Sequence, residues 1–368
     1  LVTRPIAPPW DEASKNFALN LAKNIADQDI YLLTNGLIDD FPVHIHQKPI
    51  YTSNEFSYIQ KLRLIKHLRK MRNDFDILHY IFTPTKQNAF LIKNLLSCKM
   101  NKCARTIQSI ATLREDLYPD KDLRGLIFGD LVVTYSDYAK NKLNLLGFNN
   151  VKRVYPGIDL EYFKPGPKNE KLAINLKLNT ADFIVTYPGE YTRLGATDDI
   201  IEMLVQYSDL FKQNSIKLIF ACRLKNNADI KKKGGIIQKL KEHNCLDQVI
   251  FIDTFSDMAA LYNLSDIIIF PVRDMKGKFD IPLVLIEAMA SEKPVIISDL
   301  PIFQEFATAD NSVKIKSGDM GQLKDAIINL CQNKLLAEKI GKNSRKFVQD
   351  HFDIKKIAEI YREIYAKV

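Results

Sequence analysis

The stretch of residues 270–290 has the residue types and the order of an anion-binding site. An apolar strand ends at Pro271, a basic loop follows, and a helix is predicted to begin near Pro282, because proline suits a first helical turn. The free N–H groups and the positive dipole end of such a helix attract phosphate. Asp280 and Glu287 supply carboxylates in the same stretch. Either they serve the site, or Asp280 only caps the helix and Glu287 is an exposed or paired acid.

Cations that follow two other predicted strands could complete a phosphate site. Arg193 comes shortly after the strand predicted at 183–187, and Arg223 and Lys225 follow the strand predicted at 216–222. An arginine at the end of a strand can hold a phosphate with two hydrogen bonds. The alternative for each cation is an ordinary surface ion pair.

The first half of the chain also places candidate residues where strands end. His79 closes a predicted strand, where a histidine either meets a substrate or is a structural residue. Asp11 and Glu12 follow Pro8-Pro9-Trp10 at the first strand–helix turn. As acids, they also simply favour the start of a helix.

Predicted strands and helices alternate along the chain, which is typical of α/β domains with parallel sheets. Strands are expected at residues 30–33, 75–79, 106–110, 131–134, 183–187, 216–222, 249–253, 267–270 and 295–298. Helices are expected at residues 11–26, 55–72, 196–207, 258–264 and 282–291. Ligands of such sheets bind at the carboxyl ends of the strands, which is where the candidate residues lie.

A Pro- and Gly-containing break at residues 165–170 divides the chain into two domains of ordinary size. The first is expected at residues 1–164 and the second at residues 170–353. The last helix, residues 354–368, either packs back on the first domain or belongs to the second. We expect two Rossmann-like, doubly wound domains that face a central cleft.

The composition indicates a soluble protein with anionic partners. The 368 residues carry a net charge of +8, which favours phosphates, acidic membranes or nucleic acids. No stretch approaches the roughly 20 apolar residues of a membrane span. Five scattered cysteines without a CxxC pair indicate a reducing, cytoplasmic location.

Residues 61–72 form a basic amphipathic helix, with cations at Lys61, Arg63, Lys66, Arg69, Lys70 and Arg72. Either its basic face is only solvated, or the helix makes peripheral contact with an anionic membrane. Nucleic acid is not expected, because aromatic residues are not interleaved with these cations.

Several segments, taken in order along the chain, resemble retaining glycosyltransferases of family 4, which have the GT-B fold. Residues 280–300, with the core P-L-V-L-I-E-A-M-A-S-E-K-P-V-I-I-S-D-L, resemble the donor-binding motif. Residues 154–165 resemble the family's interdomain stretch, and residues 76–84, 130–143 and 256–271 add further matches. The resemblance implies metal-independent transfer of a sugar from a nucleotide-diphosphate sugar to a glycan or lipid-linked acceptor, with retained configuration.

The resemblance also implies roles for individual residues. Glu287 would hold the donor ribose, and Asp280 or Asp274 could replace the contact of the missing first motif glutamate. His79 matches the first histidine of the family's D-V-x-H-x-H segment and is a catalytic candidate, whereas Ile81 stands where the second histidine, often near the reacting sugar, is expected. The donor side would further comprise Gly189, Glu190, Arg193, Arg223, Ile281, Pro282, Leu283 and Val284. Asp11 and Glu12 would lie on the acceptor side.

Some positions differ from the family pattern. Phe279 stands where the first motif glutamate is expected, and Glu190 and Leu194 stand where the family has an arginine and a lysine. These differences leave two alternatives open, a nucleotide-sugar-binding protein without catalysis and an epimerase or phosphorylase of the same fold.

Two further patterns could suggest a metal, and neither is expected to bind one. His44 and His46 share a strand face but have no recognisable third ligand. Asp120-Lys121-Asp122 resembles the D-x-D of metal-dependent glycosyltransferases with another fold, but is expected in a polar loop. We therefore expect neither a metal nor another cofactor.

Overall fold

A computed structural model describes residues 1–8, 12–39, 41–71, 74–96 and 104–368. The chain forms two compact units. The first contains Leu1–Asp159, Lys276–Ile281 and Phe352–Val368, and the second contains Leu160–Met275 and Pro282–His351.

The described strands are, in chain order, β1 (Ile30–Thr34), β2 (Ile45–Pro49), β3 (Ile77–Ile81), β4 (Arg105–Ile110), β5 (Leu131–Thr134), β6 (Val151–Arg153), β7 (Phe183–Tyr187), β8 (Ile216–Ala221), β9 (Val249–Ile252), β10 (Ile267–Phe270), β11 (Val295–Ser298) and β12 (Val313–Ile315). The described α-helices are α1 (Ala13–Asn24), α2 (Tyr58–Met71), α3 (Lys86–Leu96), α4 (Asp120–Leu126), α5 (Asp137–Leu145), α6 (Glu170–Asn175), α7 (Ala196–Gln206), α8 (Ser208–Gln213), α9 (Asn227–Glu242), α10 (Met258–Leu264), α11 (Leu283–Ala290), α12 (Met320–Gln332), α13 (Lys334–His351) and α14 (Ile354–Lys367).

The strands of the first unit are all paired in parallel. Strands β3 to β6 form one sheet in sequence order, and β1 pairs with β2. The N-terminal segment joins the two groups, because Val2 bridges to Tyr80 of β3 and Ile6 bridges to Thr34 of β1. The strand order therefore reverses beside this segment, and the loops that follow it and β3 lie at a topological switch point.

Helix α14 is part of the first unit. Its buried residues, Ile354, Ile357, Ala358, Tyr361, Ile364 and Tyr365, recur at the spacing of one helical face. The Tyr361 ring lies 6.0 Å from the Phe17 ring of α1, measured between centroids. Burial of these aromatic rings stabilises the association of the last helix with the first unit.

The second unit contains a six-stranded parallel sheet in the order β12-β11-β10-β7-β8-β9. All four side chains of β10, Ile-Ile-Ile-Phe, are buried, as expected of a central parallel strand covered on both faces. The chain order reverses between β7 and β10, so the loops after these two strands lie at the switch point of this sheet.

The predicted strands and helices are found with their ends moved by a few residues; for example, β3 is Ile77–Ile81 rather than 75–79. One local expectation is wrong. Asp120 and Asp122 lie in the first turn of α4, not in a loop, because acids favour that position. The two units differ from the predicted domains at three short segments: residues 160–164 belong to the second unit, and residues 276–281 and 352–353 belong to the first.

Candidate functional site

The loop after β7 turns tightly at Gly189. A Cβ atom at this position would lie 1.9 Å from the Tyr187 ring, so only glycine fits. The Tyr187 hydroxyl is 3.4 Å from both the carbonyl and the amide nitrogen of Glu190. These contacts hold the backbone of Glu190 against the Tyr187 side chain.

Two of the predicted phosphate-binding cations converge on one carboxylate. Glu190 is buried, with 8% of its surface exposed, and it pairs with Lys225. The Arg193 Nε lies 3.6 Å from the other carboxylate oxygen, and 49% of the Arg193 side chain is exposed. Glu190 and the nearby Asp229 carboxylate offset the charges of Arg193 and Lys225. Arg223, which is half-buried, leaves these loops with a positive excess, which suits an anionic ligand.

Asp229, in the first turn of α9, ties the two loops together. It is 3% exposed. It accepts hydrogen bonds from the Thr192 hydroxyl at 2.8 Å and from the Lys225 amide at 3.0 Å. Because one buried carboxylate holds both loops, Arg193 and Lys225 are fixed relative to each other.

Arg273 is a residue of this site that the sequence did not single out. It follows β10 and donates two hydrogen bonds, of 2.6 and 3.0 Å, to the buried carboxylate of Asp199 on α7. Its amide donates to the Leu194 carbonyl at 2.7 Å. At Gly195, where φ is +74°, a Cβ atom would lie 2.7 Å from the Arg273 Cδ. The sequence could have indicated Arg273, because it is a cation that follows a predicted strand closely, in the same way as Arg193 and Arg223 do.

Helix α11 begins at Leu283, preceded by Pro282, and no side chain caps it. The first helical turn supplies N–H groups at Leu283 and Val284 that cannot reach a carbonyl within the helix. Leu283 has a buried side chain. The free N–H groups of Leu283 and Val284 could contact an anion, as the helix dipole favours. Ile281, predicted on the donor side, belongs to the first unit.

Glu287 lies on the second turn of α11. Its carboxylate accepts a hydrogen bond of 3.1 Å from the Tyr262 hydroxyl of α10. Loss of hydration on burial raises the pKa of Glu287 to about 7, although the bond from Tyr262 acts in the opposite direction. Carboxyl groups with such raised pKa values concentrate at functional sites. Glu287 is therefore not a freely exposed helical acid. The hydrogen bond from Tyr262 also fits the alternative of a paired helical acid, so a role at the donor stays a prediction.

Asp280 belongs to the first unit and does not cap α11. Its carboxylate accepts a hydrogen bond of 2.5 Å from the Ser136 hydroxyl, and its amide donates to the Ala111 carbonyl at 2.9 Å. The neighbouring Phe279 ring packs edge-on against Tyr135. Asp280 is 8% exposed, so these contacts account for a structural role, and a catalytic role stays a prediction.

His79 is a core residue of the first unit. It is 1% exposed, and its two ring nitrogens lie 2.7 Å from the Tyr365 hydroxyl and 2.7 Å from the Ser109 hydroxyl. Burial holds the pKa of His79 well below its ordinary value of 6.5. The structural alternative is therefore supported against direct contact with a substrate, because the polar atoms of His79 already have partners inside the protein.

On the predicted acceptor side, Asp11 lies outside the described residues. Glu12 forms an ion pair of 2.6 Å with Arg4 and precedes α1 without capping it. Arg4 and Glu12 line a surface pocket of about 420 Å³, together with Lys15, Asn54, Glu55, Phe56 and Ser57. The pocket lies beside the switch point of the first unit, where ligands of such sheets bind.

His44 and His46, the two histidines considered as metal ligands, have protein partners. His44 Nε2 lies 3.0 Å from the Ala22 carbonyl, and His46 Nε2 lies 2.9 Å from Asp29. Within the described ranges, no group of three His, Cys, Asp or Glu side chains could hold a metal ion. In the same ranges, no helix combines the length and the apolar character needed to cross a bilayer.

Comparison with known proteins identifies the second unit. Residues 169–347 match the family model of the glycosyl transferases group 1. N-acetyl-alpha-D-glucosaminyl L-malate synthase of Bacillus anthracis is 24% identical over an alignment of 370 residues, which covers 95% of this chain and 92% of that protein. The capsular polysaccharide biosynthesis glycosyltransferase CapM of Staphylococcus aureus is 26% identical over 239 residues, covering 64% of this chain and 58% of that protein.

Solved structures show the same fold. Anabaena HepE in complex with UDP and glucose superposes with a TM-score of 0.79 at 16% identity, covering 100% of this chain and 99% of that one. Sucrose-phosphate synthase of Thermosynechococcus elongatus gives a TM-score of 0.74 at 18% identity, covering 96% and 93% of the two chains. The predicted α/β fold of the GT-B type and the predicted resemblance to glycosyltransferases are confirmed, and the assignment to family 4 stays a prediction. The chain is a glycosyltransferase with the GT-B fold, and its residues 169–347 form a glycosyl transferases group 1 domain.

Proposed function

We propose that this glycosyltransferase is a retaining, metal-independent member of family 4 that uses a nucleotide-diphosphate sugar. The observation that carries the proposal is the pairing of Glu287 with Tyr262 on the helices that flank β10. This pair lies in the same unit as the cations that follow β7 and β8, and both features lie within the segment that matches the family model.

The donor diphosphate would be held by positive groups of the second unit. Arg193, Arg223 and Lys225 supply charge-assisted hydrogen bonds, and the start of α11 supplies backbone N–H groups from Leu283 and Val284. Such fixed donors stabilise the negative charge that develops on the diphosphate as the bond to the sugar breaks. The protein groups alone therefore offset the charge of the leaving group in this proposal.

Glu287 would bind the donor ribose. An ionised carboxylate accepts hydrogen bonds from neighbouring hydroxyl groups, and a pKa of about 7 means that the carboxylate is about half ionised at neutral pH. Binding of the ribose hydroxyls would favour the charged form, so nucleotide binding would lower the pKa of Glu287.

The transfer step breaks the bond between the anomeric carbon and the diphosphate oxygen. The acceptor hydroxyl oxygen forms the new bond on the same face of the sugar, and its proton passes to the departing phosphate. The products are a glycoside of unchanged anomeric configuration and a nucleoside diphosphate. No residue of the chain changes its covalent bonds in this route.

The acceptor in this proposal is a glycan or a lipid-linked molecule on the side of the first unit, near Glu12. HepE is described as a complex with UDP and glucose, which makes UDP-sugars the first donors to test. The net charge of +8 and the exposed cations of α2 support contact with an anionic membrane, and the five scattered cysteines support a cytoplasmic location.

The proposal is tested by incubating the purified protein with UDP-glucose, UDP-N-acetylglucosamine and GDP-mannose. The acceptors would be L-malate, myo-inositol 3-phosphate and octyl glucosides, each with and without EDTA. Proton NMR of the product reports the anomeric configuration. We expect release of nucleoside diphosphate only when an acceptor is present, and no effect of EDTA. The new glycosidic bond should be axial, as is the bond from the sugar to the diphosphate in these donors. An inverted product, or transfer that EDTA abolishes, would contradict the proposal.

A further inference from the structure

A nearly buried carboxylate lies among the cations of the proposed donor site. Glu190 follows β7 closely, and the loop after β7 lies at the switch point of the six-stranded sheet. The Glu190 side chain is 11% exposed. Like charges repel each other, so an acid at this position opposes the binding of a diphosphate unless the neighbouring cations outweigh it.

The backbone around Glu190 holds the carboxylate in place. The Glu190 carbonyl accepts a hydrogen bond of 2.8 Å from the Thr197 hydroxyl, and the Tyr187 hydroxyl lies 3.4 Å from both the carbonyl and the amide nitrogen of Glu190. Tyr187 itself is fully buried, which leaves the turn little room to move. The carboxylate therefore stays beside its partners when a ligand enters the site.

The partners of this carboxylate are two cations of the proposed donor site. Glu190 forms an ion pair with Lys225 through one oxygen, and its other oxygen lies 3.6 Å from the Arg193 Nε. The side chains of Lys225 and Arg193 are 38% and 49% exposed. Both cations thus meet an anion on the protein side and are open to a second anion on the solvent side.

We propose that Glu190 is an internal competitor of the donor diphosphate for Arg193 and Lys225. The inference rests on the proposed function, which assigns these cations to the diphosphate, and adds that the protein itself occupies them when no nucleotide is bound. Binding of the nucleotide weakens their pairing with Glu190, and departure of the nucleoside diphosphate restores it. Glu190 thereby lowers the affinity for the nucleotide and promotes release of the product, a step that limits the turnover of many enzymes.

The alternative is that Glu190 only positions the two cations, and the contacts of Asp229 argue against it. Asp229 is 3% exposed and accepts hydrogen bonds from the Lys225 amide and from the Thr192 hydroxyl. It already fixes the backbone at Lys225 and next to Arg193. Glu190 is therefore not required to hold either loop, and its distinctive contribution is a negative charge.

Titration calorimetry of the full chain with UDP and with GDP tests the proposal on two variants. Glu190→Gln removes the charge and keeps a hydrogen-bond acceptor for Lys225, whereas Glu190→Ala removes both. The matched control is Glu202→Gln on α7, because Glu202 is exposed and pairs with Lys239, and because the substitution changes the net charge of the chain by the same amount. Thermal unfolding verifies that each variant folds.

We expect both Glu190 variants to bind UDP about tenfold more tightly than the wild type, and Glu202→Gln to bind it as the wild type does. Inhibition of transfer by added UDP should strengthen by the same factor. Unchanged affinity in Glu190→Gln, or weaker binding in Glu190→Ala, would contradict the competition. An equal gain in Glu202→Gln would trace the effect to net charge and would also overturn the proposal.

Transfer to the acceptors named for the proposed function is assayed in parallel with binding. Tighter UDP binding by the Glu190 variants, without transfer by any of the proteins, would contradict the proposed function alone. Acceptor-dependent transfer, with unchanged or weaker UDP binding by the variants, would contradict the competition alone. Failure of the wild type and of all variants to bind UDP or GDP would contradict both.

Discussion

The Tyr262 hydroxyl donates a hydrogen bond of 3.1 Å to the Glu287 carboxylate, which joins α10 to α11. Burial raises the pKa of Glu287 to about 7, and the bond from Tyr262 limits that rise. Tyr262 therefore keeps part of the Glu287 population ionised at neutral pH, where a carboxylate that accepts hydrogen bonds from a sugar is useful.

Replacing Glu287 with glutamine should remove a pH dependence of stability. The folded-state pKa is raised above its ordinary value of 4.5, so the unfolded chain releases its proton at lower pH than the folded chain. The contribution of Glu287 to stability is thus greatest below pH 4.5, falls as the pH rises to about 7, and is then constant. Glutamine does not ionise.

Urea unfolding at pH 5 and pH 8 measures this effect. From pH 5 to pH 8 the wild type should lose on the order of 2–3 kcal/mol more in the free energy of unfolding than Glu287→Gln does. A difference between the two proteins that does not change with pH would show that Glu287 ionises normally in the folded state.

Replacing Tyr262 with phenylalanine should move the ionisation of Glu287 to higher pH. The variant removes the hydrogen bond that favours the charged form and keeps the ring that packs against Phe163. Titration calorimetry with UDP at several pH values should give an affinity that rises through about pH 7 in the wild type, and at higher pH in Tyr262→Phe. Identical pH profiles would argue against coupling of the two residues.

Much of the fold could be predicted from the sequence, because parallel strands are continuous apolar runs followed by polar loops. The strand of residues 267–270 is predicted with the same limits that it has, and loop residues such as Arg193 are placed correctly after their strands. The motif at residues 280–300 is also a continuous stretch of sequence, so it could be recognised without the structure. It lies within the segment that matches the family model.

The sequence left both a structural and a catalytic interpretation open for two residues whose hydrogen-bond partners are distant in the chain. Asp280 is 144 positions from Ser136, its hydrogen-bond partner, and His79 is 286 positions from Tyr365. Nothing near either residue in sequence distinguishes a structural hydrogen bond from a catalytic one. Arg273 was missed in the same way, because Asp199, which holds it, lies 74 positions away.

Arg273 and Asp199 should be energetically coupled. The Asp199 side chain is 7% exposed and that of Arg273 is 58% exposed. Arg273→Ala removes the guanidinium partner of a buried carboxylate, so we expect a loss of about 1–2 kcal/mol in the free energy of unfolding. Asp199→Asn in the Arg273→Ala background should cost less than it does alone. Additive losses in a double-mutant cycle would contradict the coupling.

Gly195→Ala should destabilise the second unit. The backbone at Gly195 has φ of +74°, and an added Cβ would lie 2.7 Å from the Arg273 Cδ, so we expect a loss of about 1–3 kcal/mol and weaker UDP binding. Gly235→Ala is the matched control, because nothing lies within 4 Å of its added Cβ. As Gly235 lies inside α9, this control should gain about 0.5–1 kcal/mol. Equal effects of the two substitutions on thermal unfolding would argue against a steric constraint at Gly195.

The most direct measurement is a crystal structure of the protein soaked with UDP. We expect the ribose hydroxyls to bind the Glu287 carboxylate, and the diphosphate to meet at least one of Arg193, Arg223 and Lys225 together with the start of α11. A nucleotide bound away from Glu287, or no nucleotide at concentrations that saturate related sites, would contradict a donor site in the second unit.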